Sequence, residues 1–334
     1  MPRMENQKFN SLVNLKFKHL MILLLFSAFN RSEGQTYYYY NSEFYDNPVI
    51  FEAGASFGAM NCLTDIGGNK GLGSRFTKDV NIGQTKLNGG FYFSLSYKYI
   101  LGLRFEGTLG TVGAADSVLK NIKDNASQTR YDRNLSFKSN ILEASLIAEI
   151  YPTNILRNFD PTVSPPLTSP YILFGIGLFH FNPKTQYKGQ WVSLQPLHLE
   201  GEGFSEYPDR PNYKLTQVNF PFGAGVKYEV SQNINIRMEF VYRLLKTDYL
   251  DDVSNKYIDP SLYKKYLTGK QLEEAMALNY RGSEIGRNHD HNEGAPRGYI
   301  KNNDSYFTIN FKIGYIIGRK PIFGNNKGIV KCHK

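Results

Sequence analysis

Several clusters in this chain hold residue types that do chemistry. Asn288-His289-Asp290-His291-Asn292-Glu293 brings two imidazoles and carboxylates together, the donor set of a transition-metal site. A single tract of this kind reads more simply as a solvated polar loop. Asp248, Asp251, Asp252 and Asp259 offer carboxylates to calcium, but at a spacing that matches no EF-hand loop. Gly67-Gly68-Asn69-Lys70-Gly71-Leu72-Gly73 has the glycine content of a phosphate loop without its Gly-Lys-Ser/Thr ending. His180 and Ser139 fall near the same rim of the architecture derived below, and lipid hydrolysis would need both; no motif ties them to a carboxylate. The reading is therefore of a protein with no catalytic residues, no metal and no cofactor.

Another set of charges is more informative through its placement. Glu52, Lys98, Arg104, Glu106, Glu143, Glu149, Lys227, Glu229, Arg237, Glu239, Arg243 and Lys312 all fall on the polar face of segments that alternate polar and apolar residues. Successive side chains of a strand point to opposite faces, so each segment has one wet and one greasy side. Phe91-Tyr92-Phe93-Ser94-Leu95-Ser96-Tyr97-Lys98-Tyr99 is the clearest case. The others are Val49–Met60, Leu101–Val112, Leu142–Ile150, Tyr171–Phe181, Val218–Tyr228, Ile234–Leu244 and Phe307–Ile317. Each is about as long as a tilted strand needs to cross a bilayer, roughly 9–11 residues.

Eight such segments predict an all-β fold, a single antiparallel up-and-down transmembrane barrel. Its greasy face meets lipid. An eight-stranded tube is filled by its own side chains, and buried charges persist only when paired. The twelve charges, six acids and six bases, are thus expected to be a salt-bridged filling and not a pore. Two local irregularities are expected: a bulge near Ser139–Ile141, where Leu135 and Phe137 change phase, and a bulge at Pro221, since proline deletes a ladder hydrogen bond.

Composition agrees. Of 334 residues, 41% are hydrophobic, too few for a bundle of membrane helices, and 14% are aromatic, nearly all Tyr (24) and Phe (23). These residues suit strands, and Tyr suits membrane interfaces. The net charge of +9 is interleaved with acids and partly lies in the leader, so nucleic acid is not an expected partner. Residues 1–34 read as a secretory signal peptide, with Lys16 and Lys18 before an apolar core from Leu20. Residues 35–48 are a periplasmic segment, 49–318 the outer-membrane barrel and 319–334 a periplasmic tail. The two cysteines, Cys62 and Cys332, fall on opposite sides of the membrane and are not expected to pair.

The connections separate into two classes. Tyr99–Leu101, Val230–Asn233 and Pro152–Pro170 join strands on one side; Asn61–Gly89, Gly113–Asn134, Asn182–Lys214 and Lys246–Asp304 are long and lie on the other. Short periplasmic turns and long outer loops are the usual asymmetry of such barrels, and they leave both termini periplasmic. The last long loop carries helix signals: Asp259-Pro260, and Thr268 with Gln271 ahead of Leu272, Ala275, Met276 and Tyr280. A hairpin in Tyr187–Leu199 would extend beyond the membrane.

Several segments resemble a Bacteroidota family of outer-membrane barrels. They are Phe51–Asp65 with Gly67-Gly68, Arg130–Phe137, Gly201–Arg210, Thr247–Val253 and Lys301–Phe307. The family is similar to the PorG-type barrel of the type IX secretion apparatus. The resemblance implies a non-catalytic scaffold for an envelope or secretion complex, with periplasmic ring or secretion proteins as partners alongside outer-membrane lipid. The alternative is a surface-binding barrel. Its outer loops would act through Glu202, Glu206, Tyr207, Asp209, Arg210, Asp248, Asp251 and Asp252. An envelope lipid enzyme is the third reading.

Overall fold

The structure is a computed structural model and describes residues 48–68, 82–156, 167–287, 293–300 and 302–318. Residues 1–47, read above as signal peptide and periplasmic segment, residues 69–81 with most of the glycine-rich tract, the His289/His291 tract, residues 157–166 of the proline-rich connection and residues 319–334 with Cys332 lie outside the described residues.

The alternating segments form eight long antiparallel strands. They are β1 (Val49–Leu63), β2 (Lys86–Tyr97), β3 (Leu101–Ala115), β4 (Ser136–Ile150), β5 (Thr168–His180), β8 (Thr216–Glu229), β9 (Ile234–Leu245) and β10 (Ser305–Ile317). β1 pairs with both β2 and β10, and β3 pairs with both β2 and β4, so the sheet closes on itself as an eight-stranded barrel. Two further strands, β6 (Pro183–Tyr187) and β7 (Gln190–Ser193), make a hairpin. It continues the sheet from β4 through Lys138↔Lys184 and Ser139↔Pro183. β1, β3 and β4 are each 15 residues long. That is more than a bilayer requires, and the excess lies at the end carrying the long loops.

Neither expected bulge occurs. The β3–β4 register runs unbroken from Leu101↔Ile150 to Ala115↔Ser136. Phe137 keeps the inward phase of Glu143 and is buried, because the barrel mouth beneath the loops is apolar. At Pro221 the β5–β8 ladder passes from Phe174↔Phe222 to Gly177↔Asn219 in the same register. Pro221 remains opposite Arg243 on β9, so a two-residue interruption accommodates the missing N–H without an inserted residue.

Among the described residues no helix is long and apolar enough to cross a membrane. The barrel's outward face is nevertheless greasy on every strand: Phe57, Phe93, Phe105, Leu146, Phe174, Phe222, Met238 and Ile313 are all exposed. The described parts of the connections carry four short α-helices: α1 (Asn125–Arg133), α2 (Pro152–Leu156), α3 (Tyr263–Tyr266) and α4 (Gly269–Leu278). Asp259 accepts from the Ser261 N–H at 2.9 Å, as a cap should. Thr268 stands at the N-cap of α4 but makes no side-chain capping bond, so the expected capping box does not form. α4 turns Ala275 and Leu278 inward and leaves Met276 exposed.

Candidate functional site

The lumen is an ion-pair lattice. Arg104 on β3 meets Glu149 Oε1 at 2.5 Å, Glu239 Oε1 at 2.6 Å and Glu106 Oε2 at 3.0 Å. Arg237 on β9 bridges Glu149 at 3.0 Å and Glu52 at 2.8 Å. Lys312 on β10 joins Glu106 at 2.6 Å to Glu239 at 3.0 Å, and Lys227 approaches Glu52 at 3.4 Å. Nearer the long loops, Arg243 pairs with Glu143 at 2.8 Å. Five acids and five bases thus neutralise one another in a space without water's dielectric, the condition under which buried charges survive. Room for these long side chains comes from small inward residues. A methyl group at Gly314 would press on Glu52, on the Tyr92 hydroxyl and on Asn235.

Two of the twelve expected lumen charges lie outside the ten just named. Glu229 is buried at the turn end of β8. Lys98 is not in the lumen. It is exposed in the turn between β2 and β3, where Lys98 and Tyr99 have φ of 49° and 59°. Strand alternation ends at Tyr97, so the parity that predicted an inward Lys98 no longer applies. The hydroxyls of Tyr92, Tyr151, Tyr171 and Tyr306 complete the lattice by donating to Glu52, Glu149, Glu239 and Glu143. Tyr92 shares parity with Ser94 and Ser96, so its inward position was readable from the sequence; Tyr151, outside any strand, carried no such signal.

Above the lattice, the long loops fold into a cap with its own core. One apolar cluster joins Met60, Phe137 and Phe179 at the barrel mouth to Leu199, Leu250, Ile258 and Leu278 in the loops. Buried charges tie the loops to one another. Asp116 accepts from the N–H groups of Gly67 (2.9 Å) and Leu135 (3.0 Å) and from Arg133 Nε (2.8 Å). Glu200 accepts from the Ser254 and Asn255 N–H groups at 3.0 and 2.8 Å and from Arg297 at 3.0 Å. Asp251 accepts from the Ile66 N–H at 2.9 Å, and Asp304 from the Leu250 N–H at 2.8 Å. The bonds of Asp116 and Glu200 to Arg133 and Arg297 are charge-assisted and so the strong ones. Sequence reasoning missed these ties because the partners are far apart in the chain: Arg297 and Glu200, for example, have no local pattern in common.

The expected loop-binding residues divide into three groups. Glu202, Asp251 and Asp252 are buried within the cap. Burial pushes Glu202 up to about 7, helped by the charge of Glu200, and pushes Asp251 up to about 7, helped by Asp65. Glu206 faces outward, and Tyr207 is half-buried against the cap's apolar cluster. Glu206 is held down to about 2 by hydrogen bonds from Lys265 and Tyr266, and the Tyr207 hydroxyl donates to Glu293 at 2.7 Å. Asp209, Arg210 and Asp248 line one cleft of about 540 Å³ in the cap, together with Tyr213, Tyr249, Lys214, Lys246 and Asn303. Asp259, the fourth acid of the calcium reading, is spent on its capping bond. Among the described residues no group of three or more His, Cys, Asp or Glu is arranged to hold a metal ion.

Ser139 and His180 do not meet. Ser139 points into the barrel mouth and accepts from the Asn182 N–H at 2.9 Å, whereas His180 points outward and pairs with Thr216 at 3.0 Å.

No family model and no curated protein matches the chain. Solved structures that resemble it are outer-membrane barrels. Ail, the attachment invasion locus protein of Yersinia pestis, is 10% identical at a TM-score of 0.33, over 80% of this chain and 98% of that one. Neisserial surface protein A is 9% identical at 0.32, over 80% and 96%. OprG of Pseudomonas aeruginosa is 11% identical at 0.31, over 80% and 94%.

Proposed function

We propose that this chain is a non-catalytic barrel of the outer membrane whose working part is its folded cap, which binds a ligand or partner outside the cell. The observation that carries this reading is the pairing of a sealed lumen with an ordered cap. Ion pairs fill the tube, so bulk conduction is not its task, and loops of this length are held by buried charges and a shared apolar core. Long ordered loops with structure of their own are where function concentrates. The greasy outward face supplies the lipid-facing belt that an outer-membrane barrel requires.

Orientation is tested by cysteines introduced at Lys188 and Lys98, in a background without Cys332. A membrane-impermeant maleimide should label the first on intact cells and the second only after the membrane is opened. Binding is tested by profiling the whole barrel on saccharide, lipid and protein arrays beside a variant with residues 182–214 replaced by a short Gly/Ser turn. Array signals lost with the loop support a binding cap; identical profiles would sink it.

A second reading, an anchor for an envelope or type IX-like secretion complex, is favoured by the family resemblance. Its segments contain cap-building residues such as Asp65, Arg133, Arg210 and Asp251. The contact elements it needs are the connection around residues 154–169 and the tail 319–334. Affinity purification from solubilised membranes tests it: co-recovery of periplasmic ring or secretion proteins supports it, and a lone barrel opposes it.

A further inference from the structure

The outward face of β4 continues past the greasy belt. Leu146 and Leu142 are exposed, and Leu142 stands opposite His180 at the end of β5. Further along β4, Asn140 and Lys138 point the same way, because Phe137, Ser139 and Ile141 between them are buried. The β6–β7 hairpin extends this wall. Its inner face is covered, with Thr185 and Val192 buried, and Lys188 at its tip is tied to Glu273 of α4 at 2.6 Å. Its outer face carries Lys184, directly opposite Lys138 in the ladder, and Trp191, the chain's single tryptophan, which is 51% exposed. The Lys138 ammonium lies 5.4 Å from the centre of the Trp191 ring. Like charges directly opposite one another on a sheet repel, and among the described residues neither lysine has an acidic partner.

We infer that Lys138 and Lys184 grip the phosphate headgroup of an anionic lipid in the leaflet on the long-loop side, with Trp191 set in the interface beside them. Four residues of strand carry Lys138 about 13 Å beyond Leu142, roughly 10 Å of height at the tilt of a barrel strand. A lysine stem lies along apolar surface and places its ammonium among the headgroups from there. Tryptophan favours the same layer. In an outer membrane that leaflet is phosphorylated glycolipid, and a phosphate monoester carries close to two negative charges at neutral pH. Two adjacent ammonium groups match that charge, and an anion between them removes their repulsion. An acidic protein segment would answer the charge too, but the patch is continuous with exposed leucines, and at this height a lipid headgroup is the anion already present. The inference rests on the barrel standing in the membrane and not on what the cap binds, so its failure would leave the binding cap standing.

The test uses the whole folded barrel in nonionic detergent and reads the emission of Trp191, with retention of lipid on the immobilised barrel as a second measure. Diphosphoryl lipid A, the same lipid stripped of its phosphates, inorganic phosphate and a tetraglutamate peptide are titrated in separate arms. Diphosphoryl lipid A should shift the emission saturably, and the stripped lipid should not. Lys138→Gln and Lys184→Gln should each weaken binding by about fivefold and together by about thirtyfold, the worth of one and two lysines at an anionic lipid surface. Replacing both by arginine keeps the charges and should hold affinity within about threefold. Lys188→Gln, on the same hairpin but paired with Glu273, should leave it unchanged. Unchanged migration shift on heating shows that each variant is folded. Lipid A binding that ignores the double glutamine variant would overturn the site. Saturation by tetraglutamate or inorganic phosphate at concentrations as low as those of lipid A would overturn the lipid as occupant. Absence of a saturable response to lipid A overturns the inference.

Discussion

Arg104 and Glu239 lie face to face across the lumen, the two terminal nitrogens of the guanidinium at 2.6 and 3.1 Å from the two carboxylate oxygens. Both side chains are fully buried. This fork is the centre of the lattice, because Arg104 also reaches Glu149 and Glu106 and Glu239 also receives Lys312. Breaking such a pair from one side leaves a charge stranded. Arg104→Met should therefore destabilise the barrel by about 3–5 kcal/mol. The double change Arg104→Met with Glu239→Leu should recover part of that loss. Urea midpoints of the folded band in detergent measure both; equal stability of the wild type and the single variant would refute the lattice as a structural filling.

The belt makes a prediction that a water-soluble barrel would not. Phe105 is 54% exposed and lies midway along the lipid-facing stretch Leu101–Leu109 of β3, opposite Phe93 and Leu146. At the centre of a bilayer, Phe105→Arg should cost about 2–4 kcal/mol. In a soluble barrel the same exposed substitution would be close to neutral. Folding efficiency into lipid vesicles, compared with folding into micelles, separates the two cases.

The cap should grip more tightly in mild acid. Glu202 is raised from its ordinary 4.5 to about 7, mainly by burial and then by Glu200. The folded state therefore holds a proton that the unfolded chain gives up between those two values. Stability from this group is complete below about 4.5 and is lost as the pH rises towards 7. Asp251, raised to about 7 by burial and Asp65, adds in the same direction. Hydrogen exchange of loop amides should be slower at pH 5 than at pH 8 after correction for intrinsic rates, and Glu202→Gln should flatten the difference.

Arg297 holds the last loop to the third. It donates to Glu200 at 3.0 Å and to the Asp252 carbonyl at 2.6 Å, fully buried. Arg297→Met leaves the Glu200 carboxylate with backbone partners alone, at a cost of about 3 kcal/mol. Limited proteolysis should then cut the cap at least about tenfold faster, while the barrel strands remain protected. Unaltered cap cleavage would show that the apolar cluster alone holds the loops.

The sequence by itself determined the barrel. Period-two alternation is a property of neighbouring residues, so the eight strands, the inward Arg104, Glu239 and Lys312 and the outward Phe105 could all be read from parity. Parity failed where a strand stopped, as at Lys98, and it could not distinguish an inserted residue from a break in pairing at Pro221. It also treated the inward Phe137 as a phase error, because an apolar lumen makes sense only beneath a cap. The cap itself was decided by tertiary structure. Its ties join Glu200 to Arg297, Ile66 to Asp251 and Gly67 to Asp116, pairs that share no local period and meet only after the barrel brings four loop bases to one rim. The same closure buried Asp248, Asp251 and Asp252 within the cap: their type was visible in the chain, but their burial was not.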